Sequence, residues 1–193
     1  DVLATIEKIK NKEVQPYKEE AINQSLLKET PQSGKITSTE KNETLGTTTW
    51  TLDNGATVII KPTDFKENEI LMSAYSKGGK SLATLSEVPS ARMLPQIMAN
   101  SGVGDFSHTQ LKKKLAGKKV NIQPYLKDLS EGFNGNCEPD DLETLLKLNY
   151  LYMTHPREDE PAFNAYLSRV KASIADRSKN PSNVFRDSLQ YIM

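Results

Sequence analysis

The sequence predicts an α+β fold: a mixed, largely antiparallel sheet with helices packed on one face, preceded by a helical and extended linker. Three observations predict it. β-Branched and aromatic runs bounded by turn residues recur at 47–52, 56–61 and 70–76, and again at 119–126 and 128–137. Apolar stripes at helical spacing fall between and after these runs, most clearly Leu142, Leu145, Leu146, Leu148 and Leu151. Asp53-Asn54-Gly55 joins the first two runs with the chemistry of a tight hairpin, because Asn-Gly accepts the positive φ such turns require.

Taken in order, residues 1–29 read as two short helices. Val2, Leu3, Ile6 and Ile9 form one stripe, and Tyr17, Ala21, Ile22 and Leu26 form the next after a break at Pro16. Thr30-Pro31-Gln32-Ser33-Gly34 is a loop by composition, and 35–44 is an extended connector with at most one weak strand. Residues 1–44 are thus a linker, and the domain proper runs from 45 to 193. After the hairpin, Ile70, Met72 and Ala74 share one face of a third strand, and Gly78-Gly79 is a flexible joint. A helix follows, with Ser86 or Ser90 as cap, Pro89 in its first turn, and Met93, Leu94, Ile97 and Met98 as its buried stripe. Ser107 caps a second helix through Leu111 and Leu115 to Gly117. Two strands then join at Lys127, with Val120, Ile122 and Pro124 alternating on one and Leu129 and Phe133 on the other. Pro139 opens the Leu-rich helix that His155-Pro156 closes. Glu160-Pro161 opens a longer one, with Phe163, Tyr166, Leu167, Val170 and Ile174 on one side. Asn180-Pro181-Ser182 breaks it, and a last helix carries Val184, Phe185 and Leu189 without a stop signal before Met193. With Asp1 rather than Met at its start, the chain reads as a piece of a longer protein.

Composition excludes several function classes. Lys+Arg and Asp+Glu both number 25, so no basic excess calls for nucleic acid or an anionic membrane surface. No apolar run approaches the ~20 residues of a membrane helix. Cys137 is the single cysteine, which rules out an internal disulfide and a thiolate zinc cluster.

The stretch Trp50-Thr-Leu-Asp-Asn-Gly-Ala-Thr-Val-Ile-Ile-Lys61 resembles the opening hairpin of the M16 zinc peptidases, the family of insulinase, pitrilysin and the mitochondrial processing peptidase. The third strand with Gly78-Gly79 also matches. So does Arg177-Ser-Lys-Asn-Pro-Ser-Asn-Val-Phe185 after the long helix, and the resemblance covers about residues 46–193. Active domains of that family carry an inverted motif, His-x-x-Glu-His, whose two His bind zinc and whose Glu activates a zinc-bound water. A further Glu in the long helix completes the site. The resemblance puts Arg92, Pro95 and Gln96 at the motif positions, and Ala172 or its neighbour Ser173 at the distal one. A guanidinium has no lone pair for a metal, Pro has no base, Gln is a poor ligand, and Ala172 has no ligand atom. No catalytic, metal or cofactor residue is therefore expected in this chain.

What the resemblance implies is a silent segment, the non-catalytic half of a fused bacterial peptidase, with zinc and the peptide-hydrolysing site in the other half. Its partners would be that half and peptide substrates, with no nucleic acid and no membrane insertion. Many fused members are exported, which points to the periplasm or cell envelope. An M16-fold binding or assembly subunit with no active partner domain is the alternative, and an independent enzyme is a third. The remaining polar candidates have plainer readings. His108 and His155, the only histidines, sit at helix ends, where surface or capping roles outweigh a zinc site shared with Cys137. Lys112, Lys113 and Lys114, with Lys118 and Lys119, form a basic patch on a solvated face or a docking surface. Glu138, Asp140, Asp141 and Glu143 gather at a helix start, where the dipole favours carboxylates over a metal role.

Overall fold

The computed structural model describes Lys10 and residues 23–193. Its strands are β1 (Ile36–Asn42), β2 (Thr47–Leu52), β3 (Thr57–Ile60), β4 (Ile70–Lys77), β5 (Val120–Leu126) and β6 (Ser130–Cys137). Its helices are α1 (Val88–Ser101), α2 (His108–Lys114), α3 (Leu142–Thr154), α4 (Glu160–Arg177) and α5 (Pro181–Ile192). Single 3-10 turns, Gly79–Leu82 and Pro139–Asp141, precede α1 and α3.

The architecture is α+β, and the strands divide into two three-stranded sheets, ordered β1-β2-β3 and β4-β6-β5, with every pairing antiparallel. The α+β class and the largely antiparallel pairing agree with the sequence reading, with the strands divided between two sheets. The hairpin forms as the Asn-Gly signal demands: Gly55 takes φ 83° and Asn54 Oδ1 accepts from Ala56 N at 3.0 Å. The range read as a connector contains a full strand, β1, which pairs with β2 through Thr39 opposite Trp50. It carries no apolar alternation because all seven of its residues are exposed, so ladder hydrogen bonds rather than burial hold it.

In the second sheet Ala74, Phe133 and Pro124 lie side by side across β4, β6 and β5. Pro124 is tolerated because β5 is an edge strand. α1 lies along β5 and against α4, while α3 packs on β5 and β6. α3 comes so close to β6 that a Cβ on Gly135 would stand 2.8 Å from Leu145 Cδ1.

The core gathers Val103, Phe106, Leu111, Leu148, Leu151 and Tyr152, with Met98, Val120, Ile122 and Phe133 packed against it. The Leu stripe of α3 supplies its floor: Leu145 and Leu148 are 0% and 1% exposed. Leu146 of the same stripe is 51% exposed, since it falls on the outer side of the turn. Leu94 and Leu129, expected inside, are also exposed. Leu129 belongs to the turn between β5 and β6 rather than to a strand. The α4 stripe is only half-covered, and no residue of α4 or α5 is buried. Arg177 Nε donates to Asp187 Oδ2 at 2.8 Å and ties the two helices together.

Residues 23–30 form bends and no helix, so the helix expected to run through Leu26 does not reach it. Leu26 and Leu27 instead pack on the core, and Lys28 Nζ meets Asp105 at 2.8 Å. Apart from Lys10, the rest of the two-helix reading lies outside the described residues.

One polar joint closes the layer. Asp141, whose side chain is 12% exposed, accepts Lys118 Nζ at 2.8 Å and Lys119 N at 2.7 Å, pinning the start of α3 to the approach to β5. These bonds, the Lys118 one foremost, hold its carboxyl below the usual carboxylate range. A depressed folded pKa contributes stability above the ordinary value of about 3.9 and loses it as pH falls through the lower folded value. Denaturant titrations of the parent chain and Asp141→Asn are therefore expected to differ by a constant amount near neutral pH. The difference shrinks below about pH 4, and one that held unchanged in acid would contradict this role.

Candidate functional site

α1 is the element on which the expected chemistry falls. It starts at Val88 with Pro89 in its first turn, where no N–H is needed. Its N-cap is Glu87, not Ser86 or Ser90; the Glu87 carbonyl accepts Ala91 N at 2.9 Å, but its side chain makes no capping bond to the helix. Its carboxylate accepts Thr84 Oγ1 at 2.7 Å and Thr84 N at 2.9 Å, so it braces the turn before the helix; those bonds lower its pKa. Pro95 stands inside the helix, which removes the donor that the Ala91 carbonyl would use and costs roughly 3 kcal/mol in an unkinked helix. At the far end Asn100 Nδ2 donates to Gln96 O at 2.7 Å, Ser101 Oγ donates to Ile97 O at 2.9 Å, and Gly102 ends the helix at φ 84°.

The four positions named from the resemblance do not line one common hollow. Arg92 is exposed, and its charge reaches Asp128 at the β5–β6 turn. Asp128 is held below the usual range chiefly by Lys80, whose ammonium lies at 2.8 Å, with Arg92 adding a smaller pull. Pro95 faces an apolar hollow of about 420 Å³ beneath α1, walled by Leu94, Met98, Pro124, Tyr125 and Tyr152. Tyr125 closes its side by donating its hydroxyl to Ala74 O at 3.2 Å, and the Glu131 carboxylate at its rim accepts the Gly79 N–H. Gln96 lines a different, open hollow of about 290 Å³ between α1 and α4, shared with Ser173 of α4. Ala172 is exposed beside it.

Zinc takes thiolate, imidazole or carboxylate donors. Arg92, Pro95, Gln96 and Ala172 offer none, so the side chains at these positions do not fit the metal. Among the described residues no three His, Cys, Asp or Glu side chains gather closely enough to hold a metal ion, and no helix is long and apolar enough to cross a membrane.

The other polar candidates resolve into local roles. His108 is the first residue of α2, after a Ser107–Gln110 capping box. His155 caps α3, with Thr154 Oγ1 at 2.7 Å from its Nδ1. Cys137 is buried at the end of β6, and burial, aided by the charge of Asp141, pushes its thiol up, away from the reactive thiolate. Lys112, Lys113 and Lys114 occupy the last turn of α2, where the helix dipole favours cations. Lys118 and Lys119 are paired with Asp141 and Glu138 at 2.8 and 2.6 Å.

Of the other residues lining this hollow, Asn100 and Arg169 escaped the sequence reading, and Tyr166 and Val170 were read only as part of the apolar stripe of the long helix. The signal available was spacing: Asn100 lies four residues after Gln96, and Tyr166, Arg169 and Ser173 recur on one face of α4.

No protein-family model matches the chain. A zinc protease PQQL-like protein of Arabidopsis thaliana is 28% identical over 180 residues, 93% of this chain and 16% of that protein. The periplasmic protease PqqL from Escherichia coli superposes over 97% of this chain with TM-score 0.74 and 21% identity. The ferredoxin protease FusC, solved in complex with Arabidopsis ferredoxin, does so over 97% with TM-score 0.74 and 18% identity. The chain has the fold of these two M16 family peptidases. That shared fold accounts for the order of hairpin, third strand, α1, edge strand and long helix from which the resemblance was drawn. The chain spans 21% of the length of either neighbour and 16% of the plant relative.

Proposed function

We propose that this M16-like chain is the linker and first part of the catalytically silent half of a fused zinc metallopeptidase. The observation that carries the reading is the donor set on the α1–α4 pair. The resemblance puts Arg92, Pro95, Gln96 and Ala172 where metal ligands and base would be needed, and none of them is a thiolate, an imidazole or a carboxylate. The other half of the parent would hold zinc and hydrolyse peptides. This half would form the opposing wall of the chamber and admit peptides by size and charge. Residues 1–44 would serve as the strap between halves, and the pairing of β1 with β2 would anchor the end of that strap to the silent side. PqqL is a periplasmic protease and FusC was solved holding a protein substrate class, ferredoxin; both support an exported peptidase acting on polypeptides.

The test is zinc stoichiometry of the purified 193-residue chain by elemental analysis, with peptide hydrolysis followed with and without added zinc. The expected result is no stoichiometric zinc and no cleavage, with a zinc-dependent site in the remainder of the parent. One tightly bound zinc per chain with chelator-sensitive hydrolysis would sink the proposal. A parent lacking His-x-x-Glu-His elsewhere would instead make the chain part of a binding or assembly subunit.

A further inference from the structure

We infer that the hollow between α1 and α4 is a binding site for a peptide carboxylate, with Arg169 as its anchor. This names a ligand for the same α1–α4 face and rests on the reading that this face meets peptides.

The hollow, about 290 Å³, is lined by Gln96, Asn100, Tyr166, Arg169, Val170 and Ser173, and no acidic side chain is among them. Arg169 Nη2 donates to Asn100 Oδ1 at 3.3 Å, which turns the guanidinium toward α1 and leaves its other N–H groups free. Asn100 is itself fixed, because its Nδ2 is committed to Gln96 O at 2.7 Å. Arg157 and Arg177 each hold an aspartate at 3.3 and 2.5 Å; Arg169 holds no carboxylate among the described residues. The side chains of Gln96, Tyr166 and Ser173 likewise have no protein partner there. The hollow thus presents one planar cation flanked by an amide and two hydroxyls, all able to donate.

That donor set selects the ligand class. A guanidinium fork matches the two oxygens of a carboxylate, and the flanking neutral donors occupy the remaining lone pairs. A phosphate dianion would want a second cation or a helix N-terminus. The hollow has neither, since α4 passes it mid-length and α1 brings its last turns, not its N-terminus, to it. Its size admits one acidic side chain or one chain terminus rather than an extended segment.

The experiment uses the 193-residue chain and fluorescein-labelled peptides blocked at both ends that differ only in Glu against Gln, with a third that has Gln and a free C-terminal carboxylate. Binding is read by anisotropy. The carboxylate peptides are expected to bind about tenfold more tightly than the blocked Gln peptide. Whichever of the two gains more identifies the side chain or the terminus as the source. Arg169→Met is expected to abolish the difference, Arg169→Lys to keep part of it, and Arg186→Met on α5 to leave it intact, with circular dichroism confirming that each variant is folded. Equal binding of the three peptides, or a preference that survives Arg169→Met in folded protein, would overturn the inference while leaving the silent-half reading standing. Zinc-dependent cleavage would overturn that reading whatever the peptides did.

Discussion

Leu148→Ala is expected to lower the unfolding free energy by about 3 kcal/mol, within the ~2–5 kcal/mol range of Leu truncations in packed cores. Leu148 is 1% exposed and stands among Val103, Phe106, Leu111, Leu151 and Tyr152. These neighbours come from separate places: the loop after α1, helix α2, and α3 itself. A single shift cannot bring them all into the space a Leu vacates, so most of the cavity persists. At roughly 2–4 °C per kcal/mol for a chain of this size, the melting temperature should fall by about 10 °C. Leu146→Ala removes the same atoms from the same helix, but at 51% exposure it should cost only about 0.5 kcal/mol. Denaturant unfolding of the two variants in parallel checks the claim; similar losses would mean that the core is not centred on the inner face of α3.

Gly102→Ala should be at least as damaging. Gly102 has φ 84° and ψ −157°, a region essentially closed to residues with a Cβ. An added Cβ would overlap the Phe106 carbonyl oxygen and lie 2.6 Å from His108 N. The turn it would displace is held by reciprocal Val103–Phe106 hydrogen bonds of 2.9 and 3.0 Å and carries two core side chains. Backbone strain of about 1–3 kcal/mol therefore adds to a disturbance of the core. Gly117→Ala is the control, since φ is 83° but the space around its Cβ is open, and a cost of about 1–2 kcal/mol is expected there. If the two variants unfold at the same denaturant concentration, steric crowding at Gly102 has been overestimated.

What the sequence made visible follows from how each element is stabilised. The α3 stripe was legible because Leu145, Leu148 and Leu151 are buried through their own periodicity. The hairpin was legible because Gly55 needs its positive φ. β1 was nearly invisible, because exposed Thr, Ser, Glu and Lys side chains carry no pattern and the strand exists through its ladder to β2. Leu94, Leu129 and Leu146 were misplaced because apolar identity does not reveal which side of a turn meets a neighbour. At the site, alignment to a known motif brought attention to Gln96 and to Ser173 beside Ala172, and these two do face one hollow. It also grouped Arg92 and Pro95 with them, although Pro95 lines the apolar hollow instead and the charge of Arg92 acts on Asp128. Arg169 was missed because its spacing from Tyr166 and Ser173 on an exposed helix face gains meaning only from its place opposite Asn100.

The first sheet has one more consequence, for spectroscopy. Trp50 is the only tryptophan, and it sits half-buried in the middle of β2, across from Thr39 and Val58 and away from the Leu148 cluster. Its emission is therefore a private reporter on β1–β3, whereas the ellipticity at 222 nm is dominated by α1, α3, α4 and α5. The two signals sample different layers, so superimposable denaturation curves would be evidence that the sheets melt as one cooperative unit, and an earlier fluorescence midpoint would give the first sheet a stability of its own.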